Sequence, residues 1–135
     1  MAYFYKARKQ FTDENFDLFL SSFVKYLKRC MHYAGDCVNK IDSADIYLFS
    51  FEKMYFRNSS QAGLSVLVTK DINNKVIVDL VGFAGSQYTA IGAHGAHEDI
   101  AHDAIEFLKG YDFEIMRDKS DDKNSVFSVI DKISK

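Results

Sequence analysis

Two periodicities divide the chain. Phe16, Phe19, Leu20, Phe23, Leu27, Cys30 and Met31 recur at steps of three and four. That spacing puts one broad apolar stripe on a helix, with Lys25, Lys28 and Arg29 falling off it. Over residues 45–57 the step drops to two: Ile46, Leu48, Ser50, Glu52, Met54 and Phe56 alternate with Tyr47, Phe49, Phe51, Lys53 and Tyr55. This period and the aromatic content predict a strand. Its start is apolar on both faces, so it lies centrally or has its second face covered by a partner.

The remaining elements follow from the same rules. Residues 2–9 are short and aromatic and predict a first strand. Thr12 is the expected N-cap of the first helix, with Asp13 and Glu14 in its first turn and Phe11 stapled to Phe16. Gly35 is its expected stop, and residues 36–44 then form a polar connection. After a turn at 58–61, residues 64–70 and 75–84 predict a hairpin around Asp71-Ile72-Asn73-Asn74. Gly82 and Gly85 suggest a bulge or a close backbone approach. A loop over 86–95 precedes a second helix at 96–109, stopped by Gly110 and buried through Ile100, Ala101, Ala104, Ile105 and Leu108. Residues 111–116 read as a short extra strand or an extended cover. A charged linker at 117–124 leads to an amphipathic tail helix carrying Val126, Phe127, Val129, Ile130 and Ile133.

The expected order is therefore β-α-β-β-β-α plus the tail. Short loops favour antiparallel pairing. The expected fold is α+β, a two-layer sandwich with an antiparallel sheet of about four strands and two helices on one face. Residues 1–116 make one domain, with 117–135 as linker and tail. The second sheet face is aromatic enough to suggest a dimer or a ligand groove.

Composition narrows the function classes. The 135 residues are 47% hydrophobic and 15% aromatic, with 12 Phe, 8 Tyr and no Pro, enough to fill a core. A net charge of −2 argues against non-specific nucleic-acid binding. Residues 1–40 hold seven Lys/Arg against four Asp/Glu, and residues 86–116 hold six Asp/Glu against one Lys. Opposite-signed regions of this kind can steer self-association. No apolar run approaches the roughly 20 residues that span a bilayer. The start Met1-Ala2-Tyr3-Phe4-Tyr5-Lys6 turns polar too soon for a secretory leader. The expectation is a cytoplasmic protein whose two cysteines stay reduced, with Cys30 on a helix face and Cys37 incidental.

Candidate chemistry gathers at Gly92-Ala93-His94-Gly95-Ala96-His97-Glu98-Asp99-Ile100-Ala101-His102-Asp103. Glu98 and His102 are four apart and share a helix face, so His94, His97, Glu98 and His102 are the candidate ligands of a divalent metal. The order is not the His-Glu-x-x-His of a zinc protease. The plainer reading is a polar first turn, where the helix dipole favours Glu98 and Asp99. The glycines match neither a dinucleotide fingerprint nor a P-loop, and Ser86 lacks a nucleophile elbow. His32 is expected near the carbonyls ending the first helix. Glu52, beside Leu48 and Met54, is a candidate for a raised-pKa acid or an ion pair.

Phe51-Glu52-Lys53-Met54-Tyr55, Gly63-Leu64-Ser65-Val66-Leu67-Val68-Thr69, Gly85-Ser86-Gln87 and the helix ending Phe107-Leu108 resemble a group of small bacterial proteins classed only as a domain of unknown function. The resemblance covers roughly residues 45–110 and implies a single-domain bacterial protein with no assigned activity. It focuses interest on Gly85, Ser86, Gln87 and Tyr88 as ligand-contacting residues. The histidines lie outside its pattern.

Three readings compete. The first is a non-enzymatic binding or interaction module acting as a homodimer, without a required cofactor and without nucleic-acid or membrane partners. The second is a metal-binding protein or metal-dependent enzyme using the histidine cluster. The third is a small-ligand carrier, its pocket between sheet and helices lined by Phe49, Phe51, Tyr55 and Phe83 and closed by residues 85–95.

Overall fold

Alternation over residues 60–71 and 75–84 builds the centre of the molecule. In the computed structural model, which describes residues 2–12, 14–55, 60–84, 96–116 and 130, these are β4 (Ser60–Asp71) and β5 (Lys75–Ala84). Ala62, Leu64, Val66 and Val68 of β4 and Val76, Val78 and Leu80 of β5 are buried, while their odd-numbered neighbours, Gly63 excepted, are more open. Pleating sends alternate side chains to opposite faces, so one face of this hairpin is core.

The sheet extends both ways from that pair. β1 (Ala2–Gln10) lies beside β5, and β6 (Glu114–Met116) beside β1. On the other side come β3 (Ala44–Tyr55) and then β2 (His32–Ile41). The order is β2-β3-β4-β5-β1-β6, and every neighbouring pair is antiparallel.

The helices α1 (Phe16–Cys30) and α2 (Ala96–Gly110) complete the core. From α1, Phe16, Phe19, Phe23 and Leu27 are buried; from α2, Ile100, Ala101, Ala104, Ile105 and Leu108. The Phe16 ring meets Tyr47 of β3 at 5.7 Å. An antiparallel sheet with helices makes this an α+β protein with one core cluster.

The expected four-stranded sandwich is overturned: among the described residues the sheet has six strands, in the order β-α-β-β-β-β-α-β. The largest correction is β2, which occupies the supposed end of α1 and the supposed polar connection. α1 ends at Cys30, and Met31 is already extended, at φ −143° and ψ 166°. Gly35 is therefore no helix stop; it follows an irregularity of register between Tyr33 and Gly35. His32 opens β2, opposite Glu52. At the other end, α1 starts after Asn15, whose side chain makes no cap bond to the helix. Thr12 instead closes the preceding turn, its carbonyl accepting from Asn15 N at 3.2 Å and its Oγ1 from Asn15 Nδ2 at 2.9 Å. The Phe11–Phe16 pair does form, edge to face at 6.0 Å. The linker at 117–124 lies outside the described residues, as does the tail helix apart from residue 130.

The β4–β5 turn shows how local chemistry sets a register. Asp71 Oδ1 accepts from Asn73 N at 2.8 Å and Lys75 N at 2.9 Å. Asn74 then takes φ 64°, a left-handed conformation that asparagine tolerates and β-branched residues do not. Asn74→Val is expected to lower stability by about 1–2 kcal/mol, with Asn74→Gly costing well under that. The shift in urea midpoint at unchanged slope measures it, and equal losses for both would place the cost elsewhere.

Candidate functional site

The face of the sheet away from the core is laid out in rows by the registers. One row runs Cys37, Leu48, Leu67, Asp79, Lys6, Met116 from edge to edge. The next toward the β3–β4 end runs Gly35, Ser50, Ser65, Val81, Phe4. Leu48, Met54 and Phe83 stand exposed on this face. Lys6 Nζ lies 3.6 Å from Asp79 Oδ1 with both side chains about one-fifth exposed (22% and 21%). Arg8 reaches across to β6, where Nε and Nη2 donate to Glu114 at 2.9 and 3.4 Å. The guanidinium holds the Glu114 carboxyl below the ordinary glutamate value.

A hollow of about 400 Å³ opens where β3, β4 and β5 end, lined by Ser50, Glu52, Gln61, Gly63 and Phe83 among others. Gly63 sits opposite Phe83, and the Phe83 ring covers it so closely that an added Cβ would lie 2.2 Å from a ring carbon. Only glycine lets the ring lie flat there. Glu52 is exposed and accepts from Gln61 Nε2 at 3.2 Å. Its partner among the described residues is thus a neutral amide, and its exposed position is not that of a buried acid.

The two edges of the sheet differ. At one, β6 has three residues. At the other, β2 has ten, and every one except Gly35 is exposed. Neither of its faces is buried as core; α1 reaches it at Tyr33, where the Lys28 ammonium lies 4.6 Å from the ring. Tyr33 Oη donates to Asp36 Oδ2; this bond to the carboxylate raises the phenol above its ordinary pKa, with burial adding less. Tyr33, Val38 and Ile41 are exposed apolar residues of this strand. Among the described residues no strand pairs with the outer side of β2, and a long edge of that kind presents N–H and C=O groups to a further strand.

Gly85, Ser86, Gln87, Tyr88 and His94 lie outside the described residues. His97 and Glu98 fall on the first turn of α2, and His102 is exposed on the same helix. Among the described residues, no group of three His, Cys, Asp or Glu side chains is placed to hold a metal. The expected carrier pocket is divided by the sheet: Phe51 is buried and Phe49 packs against the core, whereas Phe83 stands on the opposite face. Cys30 and Cys37 are both free, the first half-buried and the second exposed on β2. Among the described residues no helix is long and apolar enough to cross a membrane. Neither family models nor curated proteins show a match to this chain.

Proposed function

We propose that this chain is a non-enzymatic interaction module that works as a homo-oligomer. The observation that carries the reading is β2, a ten-residue strand at the open edge of the sheet, exposed on both faces and bearing apolar side chains. An isolated domain usually blunts such an edge with a short strand, a bulge or covering elements. Here the opposite edge is kept short by β6, while β2 beyond its bulge stays long. The sparse but apolar outer face, with Leu48, Met54 and Phe83, adds surface that a partner would cover. The family resemblance fits a small bacterial protein of this kind, and two free thiols suit a reducing cytoplasm.

Native mass spectrometry of the untagged chain, with a denatured control, tests the reading. A dimer of bare chain mass at micromolar concentration is expected. A chain that stays monomeric when concentrated would remove the homo-oligomer. A monomer carrying extra mass, lost on denaturation, would favour a bound metal or small molecule and direct attention to the Phe83 hollow and α2.

A further inference from the structure

Resting on the homo-oligomer reading, we infer that a second copy of this chain adds to β2 in antiparallel fashion, with Val38 facing Val38 on a two-fold axis. Four independent features of the strand select this register.

The first is regularity. The register of β2 against β3 is interrupted between Tyr33 and Gly35 and unbroken from Gly35 to Ile41. An irregular segment pairs poorly, so a self-complementary partner uses residues 35–41. The midpoint of that run is Val38. A two-fold axis there pairs Gly35 with Ile41, Asp36 with Lys40, and Cys37 with Asn39, each twice by symmetry.

The second is charge. Directly opposite residues in an antiparallel pair interact, and opposite charges there are favourable. The register about Val38 sets Asp36 of each copy against Lys40 of the other. Within one chain, Lys40 is already opposite Asp45, and Asp45 opposite Lys70, the latter two 4.0 Å apart. The partner's Asp36 therefore continues a row that alternates in sign across the sheet. Asp36 keeps its bond from Tyr33, since a carboxylate has further lone pairs for an ammonium.

Space supplies the third. A Cβ built on Gly35 meets nothing within 4 Å, and Ile41 is 56% exposed. In this register each Ile41 falls over the open space at Gly35 of the other copy. The fourth is the axis itself: Val38 is 54% exposed, and two valines meeting there bury β-branched surface suited to a strand. Centring one residue earlier on Cys37 would put Asp36 against Val38 and Lys40 against Ala34, which loses the charge pairing and runs into the irregularity.

Two measurements test the register. In sedimentation equilibrium, Asp36→Lys and Lys40→Asp should each weaken the dimer about tenfold or more, because each replaces two attractions with two repulsions; the double exchange Asp36→Lys/Lys40→Asp should restore most of the affinity. Because β2 is exposed, these variants should fold, and the restoring double exchange controls for those that do not. In a Cys30→Ser/Cys37→Ser background, Val38→Cys should crosslink to a covalent dimer with copper–phenanthroline. Asn39→Cys in the same background should crosslink far less, since position 39 faces 37. A dimer indifferent to the single reversals, or position 39 crosslinking as well as position 38, overturns the register while leaving the oligomer intact. A chain monomeric at all concentrations overturns both.

Discussion

Replacing Phe19 by alanine should lower the stability of the fold by about 3–5 kcal/mol. Phe19 is fully buried and is the hub of an aromatic cluster. Its ring centre lies 4.9 Å from Phe113, 5.2 Å from Tyr111, 5.3 Å from Phe11 and 5.5 Å from Phe23. These partners come from α1, from the turn before it and from the segment between α2 and β6, so truncation removes contacts from several elements at once. The ring's own burial is lost, and a cavity remains because the surrounding rings are held by other neighbours. A loss of this size corresponds to a fall in Tm of roughly 10–18 °C. Urea unfolding at constant slope gives the free energy directly. Leu18→Ala is the control, since its neighbour's burial is not shared: Leu18 is 62% exposed. Similar losses for both variants, or less than about 1 kcal/mol for Phe19→Ala, would show that the cluster does not hold the helices.

The second expectation concerns a site where more apolar surface should destabilise. Ala101 and Ala104 of α2 are both fully buried. They let the α2 backbone come close to the core without displacing side chains such as Val66, Val78 and Leu80. Ala104→Leu adds methylenes where interiors are already close-packed, and the helix must lift or neighbours must leave their rotamers. A loss of about 1–3 kcal/mol is expected. Simple transfer of a larger apolar side chain out of water would give a gain instead. Calorimetry distinguishes the two by sign, and a raised midpoint would mean that α2 has slack above the sheet.

Sequence pattern was a good guide wherever one face of an element is buried. The three- and four-residue steps from Phe16 to Leu27, the hairpin from Leu64 to Ala84 and the small residues of α2 all carry that signature, and the structure buries them as the pattern implies. β2 carries no such signature because burial never selected it: both of its faces are open, so Tyr33, Val38 and Ile41 follow no period. Gly35 added a misleading helix-stop signal. At the end of α2 the left-handed residue is Asp112, at φ 65°, and Phe113 N closes on Leu108 O at 3.0 Å; the glycine two positions earlier drew attention from it. The candidate chemistry was harder to read. Spacing can put Glu98 and His102 on one helix face, but His94 comes before the helical spacing begins, and periodicity says nothing of where its side chain lies.

The strand order also divides the molecule by how its parts are wired. β2, β3, β4 and β5 follow one another in sequence and in the sheet, so each pairing closes a short loop. β1 is different: it is made first along the chain, yet it lies between β5 and β6, the fifth and sixth strands. Its register, from Ala2 opposite Phe83 to Gln10 opposite Lys75, can be set only after α1 and most of the sheet have been synthesised. Long-range closure of that kind slows folding. A nascent chain thus carries β1 unmatched through most of its emergence, with Tyr3, Phe4 and Tyr5 in search of a partner, while the four-strand meander can already assemble around its own turns.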